Sequence, residues 1–199
     1  ADRAILRSMR RPGDGARYLA MIERMRSVLP DIAIRTTLIA GLPGESDETF
    51  EDLLRFVEQA RFDRLGVFEF SPEPGTDAAA MPDQVPPETR RHRRERLMRL
   101  QQQISLEQNR RWIGREIEAL VERCDGRSAV GRTFRDGPEV DGTIIIKGAS
   151  CAPGTFYRVR VTGADVYDLI GIPAEAPTAR AGRKPRASAP TALSSHYGG

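Results

Sequence analysis

The chain has 199 residues, enough for one large or two small domains. No apolar window approaches the roughly 20 residues of a membrane span, and the amino-terminal ADRAILRSMRR is a charged helix rather than a signal peptide, so a soluble protein is expected. Net charge is +3, which excludes little until it is mapped along the chain.

Residues 1–83 carry 11 basic and 15 acidic side chains, residues 84–113 carry 8 and 3, residues 114–172 carry 8 and 9, and residues 173–199 carry 4 and 1. The basic surplus thus sits in one central segment and one tail, whereas a nucleic-acid domain usually bears it on its binding surface. Two cysteines, Cys124 and Cys151, form no CxxC or CxxxCxxC cluster. A disulfide framework is not expected, a reducing, cytoplasmic compartment is, and this chain alone offers no thiolate set for a metal or iron–sulfur site. The first residue is Ala rather than Met, as expected of a fragment or a processed chain.

In chain order, residues 2–10 predict a helix with Ile5, Leu6 and Met9 on one face, broken by Pro12-Gly13-Asp14-Gly15. Tyr18, Met21, Ile22, Met25, Val28 and Leu29 then repeat at helical spacing. Residues 32–40 read as a strand, apolar enough for a parallel strand buried on both faces. Arg35 interrupts it and needs either a carboxylate partner or a ligand.

The stretch TTLIAGLPGESDETF, residues 36–50, joins that strand to a helix through Gly41, Leu42, Pro43 and Gly44. Ligands in α/β folds bind past the carboxyl ends of strands, and the two glycines allow backbone to approach a ligand closely. Ser46 suits the helix N-cap, and Phe50, Leu53, Leu54 and Val57 form its apolar face. Residues 65–70 read as a second strand, followed by a stiff loop, SPEPGT; Glu69 near the strand's end and Glu73 in the loop are candidate ligand-facing or solvated carboxylates. Two strands do not make an independently stable sheet. Strands preceding Ala1 are therefore expected to be missing, and residues 1–83 are expected to be loose alone.

Pro86-Pro87-Glu88 predicts the start of a long helix reaching about residue 113, with Gly114 placed to end it. Its arginine-rich front half, ETRRHRRERLMRL, reads as a mostly solvated linker packed along Leu97, Leu100 and Ile104, or as a contact for RNA phosphates. His92 is expected to be exposed. Five short alternating segments between residues 116 and 172, separated by turn residues, predict an independently folding OB-like barrel. With no basic surplus and few aromatics, it suits an oligonucleotide poorly, and its acidic loop at 136–141 suits a basic partner. The tail 173–199 is rich in Ala, Pro, Ser and Arg and reads as disordered.

The stretch IAGLPGESDETFEDLLRFV is similar to a late strand-and-helix motif of the radical S-adenosylmethionine methylthiotransferases, which reads close to IVGFPGET; here Leu42 and Ser46 stand in place of its Phe and Thr. FEFSPEPGTDAAA resembles that group's next strand and loop, LRSMRRPGD the helix after its fourth strand, and residues 115–172 its TRAM domain. The fold so implied is α/β plus all-β. It comprises the C-terminal part of a radical S-adenosylmethionine (partial TIM-type) barrel at 1–83, a linker helix at 84–113 and an OB-like TRAM domain at 114–172. Within the group, SPEPGT, GRTFRDGPEVDGTI and ADVYDLIG look like the branch that modifies an aspartate of a ribosomal small-subunit protein rather than an adenosine of transfer RNA.

The resemblance implies S-adenosylmethionine and two 4Fe–4S clusters in the intact enzyme. One cluster cleaves S-adenosylmethionine to a radical that takes a hydrogen from the aspartate β-carbon, and the other holds the sulfur transferred. It implies a basic ribosomal protein as partner and a missing N-terminal half. The cluster ligands are absent from this chain, which is expected to be inactive alone, with no catalytic residue. By resemblance, Ile39, Gly41, Leu42 and Gly44 pass near the adenine, with Arg35 and Glu45 as further polar contacts. A transfer-RNA enzyme fragment and a non-catalytic RNA- or protein-binding module are the alternative readings.

Overall fold

The computed structural model describes residues 2–149 and 151–174; from residue 175 on, the tail expected to be disordered lies outside them. Two bodies result, an α/β unit and a barrel.

The α/β unit begins with α1 (Arg3–Ser8) and α2 (Gly15–Val28), whose first-turn N–H groups are capped by the carboxylates of Asp2 and Asp14. β1 (Arg35–Ala40) leads through the glycine turn into α3 (Asp47–Ala60), where Ser46 accepts the Thr49 N–H as the sequence predicts. α3 stops at Arg61 in the left-handed conformation, and β2 (Arg64–Glu69) follows. The β1 and β2 strands pair in parallel, from Arg35↔Arg64 to Ala40↔Glu69. A short α4 (Asp77–Ala80) falls just after the loop read as irregular.

One face of this sheet, carrying Leu38, Ala40, Leu65 and Val67, packs on Phe50, Leu53 and Val57 of α3. α5 (Pro87–Arg110) closes the same core with Leu97, fully buried, and Ile104. For β1 the other face was expected to be buried too. Instead Thr37 and Phe68 on it are exposed and Ile39 is only half-buried. α3 and α5 cover one side only, and on the other side burial is uneven: Arg64 at the start of β2 is buried against the barrel, while Phe68 near its end is open.

The arginines of α5 divide: Arg91, Arg94 and Arg99 are exposed, as expected of a helix packed on one side, whereas Arg90 and Arg93 are buried. Arg93 is buried and donates to Glu45 Oε1 (2.9 Å) and to Asp47 Oδ1 (2.7 Å). Arg90 is buried against the Val85 and Phe70 carbonyls, and Arg96 pairs with Glu51 at 2.7 Å. The segmental charges explain this: a net-acidic α/β unit takes up a net-basic helix. His92 is exposed, as expected.

The barrel runs β3 (Glu116–Cys124), β4 (Ser128–Thr133), β5 (Ile144–Lys147), β6 (Phe156–Ala164) and β7 (Leu169–Pro173). Its spatial order, β3-β4-β5-β7-β6 closing onto β3, with β5 and β7 parallel, is OB-like. Alternate residues point inward, among them Ile117, Val121, Ile144, Ile146, Val159 and Val161. Trp112, just after α5, joins this core and links it to the helix.

Candidate functional site

The carboxyl ends of β1 and β2 and the turn after β1 form the candidate site. Three of the sequence-predicted residues, Ile39, Leu42 and Glu45, line one small cavity of about 160 Å³ there, under Ile5, Leu6 and Met9 of α1. That volume is well below the about 300–1,000 Å³ of a typical small-molecule pocket, so these walls alone do not enclose a cofactor-sized ligand.

The two glycines do different work. Gly41 (φ +81°) is buried, and a Cβ there would overlap the Arg90 side chain. Its missing side chain therefore makes room for α5, not for a ligand as the sequence suggested. Gly44 (φ +79°) is exposed with open space where a Cβ would project. It is the glycine of the pair that can let a ligand approach.

Glu45 holds the turn. Its side chain is buried, accepts the Gly41 N–H at 2.9 Å and pairs with Arg93. Burial raises its pKa, against the opposing pulls of the Gly41 N–H and of Arg93. The carboxylate is thus committed to the protein itself. Arg35 does not join the group. It sits at the opposite end of β1 and reaches Asp141 of the barrel at 3.2 Å, the carboxylate-partner outcome of the two considered from sequence.

Phe68 was not among the residues singled out from sequence. It is the register partner of Ile39 and is 64% exposed, on the face the helices leave uncovered. The alternation of buried Leu65 and Val67 with exposed Phe68 carries that signal in the sequence. Glu73 is taken up locally, with one carboxylate oxygen accepting the Ser71 hydroxyl at 3.0 Å.

The acidic loop 136–141, assigned from sequence to a basic partner, faces the chain's own α/β unit. Asp136 pairs with buried Arg64 at 2.6 Å and also accepts the Thr133 N–H and hydroxyl. Next to it Arg135 donates to Asp63 (3.2 Å) and to Asn109 Oδ1 (3.2 Å), while the Asn109 amide donates to the Asp165 and Val166 carbonyls. Burial lowers the Arg135 pKa, partly offset by Asp63. The junction is a buried polar network with matched charges, in which each ion has a partner.

Cluster ligands fail a direct test of fit. A 4Fe–4S cluster takes about four thiolates; the two cysteines of this chain both lie in the barrel unit. Among the described residues no group of three or more His, Cys, Asp or Glu side chains is placed to hold a metal ion.

Residues 113–173 match the TRAM domain family. The chain is 54% identical over 171 residues to the ribosomal protein uS12 methylthiotransferase RimO of Roseiflexus castenholzii, covering 83% of this chain and 35% of that protein. It is 49% identical over 174 residues to the protein of the same name from Aromatoleum aromaticum (87% and 39%), and 45% identical over 172 residues to that of Escherichia coli (86% and 39%). The chain therefore spans little more than a third of the length of these relatives.

Proposed function

We propose that this chain, a homologue of part of the uS12 methylthiotransferases and bearing their TRAM domain, is the C-terminal portion of an enzyme that adds a methylthio group to the β-carbon of an aspartate in a ribosomal small-subunit protein. The observation that carries this reading is identity of 45–54% across more than four fifths of the chain, too much of it to be confined to the barrel. Its setting is the cytoplasm, where ribosomal proteins are modified.

In this reading Ile39, Leu42 and Gly44 form one wall for the adenosyl part of S-adenosylmethionine, extended by Phe68. An apolar strand end, an aromatic ring and an unobstructed glycine suit a flat heterocycle with polar edges. Gly41 and Glu45 shape that wall from behind, and Arg35 acts at the junction with the barrel. Bound in the complete enzyme, the clusters and S-adenosylmethionine supply the radical chemistry and the sulfur; the residues here orient and exclude water. A transfer-RNA substrate has less support, because Arg90, Arg93 and Arg96 are already engaged.

The test is a chimera in which this chain replaces the matching part of the Escherichia coli relative, expressed in cells lacking their own enzyme. The expected result is the methylthio mass increment on uS12. A chimera that is soluble and loads its iron, yet leaves uS12 unmodified, contradicts the proposal.

A further inference from the structure

Cys124 and Cys151 are 27 residues apart in sequence, and spacing alone gives no reason to pair them. The barrel brings them together. Cys124 is the last residue of β3, where it registers with Ala129 of β4. Cys151 lies in the connection from β5 to β6. Their sulfurs are 3.3 Å apart, and both residues are partly exposed. A covalent S–S bond needs about 2.05 Å, so closure requires a shift of only about 1 Å in a connecting loop.

The two thiols are also unequal. The Gly126 N–H, and then the N–H and thiol of Cys151, pull the Cys124 pKa below its ordinary value. Burial, reinforced by Cys124 itself, pushes the Cys151 thiol up to about 11. A thiol of lowered pKa beside one of raised pKa is the arrangement in which one sulfur reacts first and the other resolves.

We propose that Cys124 and Cys151 form a reversible redox pair, oxidised by disulfide exchange with a low-molecular-weight disulfide and tethering the end of β3 to the β5–β6 connection. The proposal is independent of the methylthiotransferase reading. In the first step the Cys124 thiolate attacks one sulfur of the small disulfide; a mixed disulfide forms and one small thiolate leaves. In the second, Cys151 gives up its proton to solvent and attacks the Cys124 sulfur; the Cys124–Cys151 bond forms and the second small thiolate leaves. Two protein thiols are oxidised and one small disulfide is reduced to two thiols.

The experiment uses the full 199-residue chain and oxidised glutathione. Intact-mass analysis is expected to find a monomer lighter than the reduced protein by two hydrogens, with no alkylatable thiol, reverting with dithiothreitol. The melting midpoint of the barrel is expected to rise by about 5–10 °C, since a loop of this length is cross-linked. Cys151→Ser is expected to stop at a glutathione adduct on Cys124, and Cys124→Ser to react more slowly at Cys151. Wild-type protein that stays fully alkylatable, carries stable glutathione on both cysteines or forms covalent dimers overturns the pair. A disulfide that leaves the melting midpoint unmoved or lowered overturns the tether.

Discussion

The barrel and the parallel sheet solve the same problem to different degrees. In the barrel, β3 to β7 each pair on both sides, and the inward side chains meet one another around a closed core. In the α/β unit, β1 and β2 pair only with each other among the described residues, and their second face leaves Thr37 and Phe68 in solvent. A closed ring of strands satisfies its backbone and buries its apolar side without help. A two-stranded sheet does neither, so its stability is borrowed from α5 and from the barrel junction, and its uncovered end is where a ligand can be received.

The largest test of that contrast is at the junction. Asp136→Ala leaves the Arg64 guanidinium buried without its carboxylate and is expected to cost about 3–5 kcal/mol. Urea unfolding of this variant should split into two transitions, the α/β unit first. The paired replacement Arg64→Met with Asp136→Leu should recover most of the loss. A single unshifted transition in Asp136→Ala would show that the sheet does not depend on the barrel.

Leu97→Ala removes a fully buried side chain that α5 lends to the sheet, at an expected cost of about 3 kcal/mol. Hydrogen exchange should quicken in β1, β2 and α3 while β3 to β7 keep their protection. Gly41→Ala meets Arg90 in addition to an unfavourable φ and should cost about 2 kcal/mol, whereas Gly44→Ala, with open space around it, should cost about 1 kcal/mol. Equal costs would mean that the Arg90 contact yields freely. The smallest effect is expected for Arg115→Ala, which breaks a half-exposed pair with Asp31; thermal melting should move by less than the equivalent of about 1 kcal/mol.

Much of the fold was legible because its signals are local. Ser46 capping α3, the helical spacing of Phe50, Leu53 and Val57, and the turn residues between the short strands each act within a few residues. The five segments expected between residues 116 and 172 are present as β3 to β7, the last of them ending one residue further on, at Pro173. What sequence could not give was set by distant partners. Arg93 and Arg96 were read with the solvated arginines of α5, but Glu45, Asp47 and Glu51 lie opposite them. The acidic loop looked like a docking surface for another protein until Arg64 and Arg35 filled that role. Gly41 looked like a ligand glycine until Arg90 was found lying against it. In each case the partner came from this chain, far away in sequence.

The site itself was half legible. Ile39, Leu42 and Glu45 line one cavity, Arg35 reaches the junction, and Phe68 is the register partner of Ile39 on the neighbouring strand. The measurement that tests its assignment most directly is an amide chemical-shift titration of the full chain with millimolar S-adenosylmethionine. The account predicts weak, saturable shifts confined to residues 39–45 and the end of β2, lost in Phe68→Ala while the barrel amides stay still. Shifts that map to the barrel, or none at the β1–β2 end at any concentration reached, contradict it.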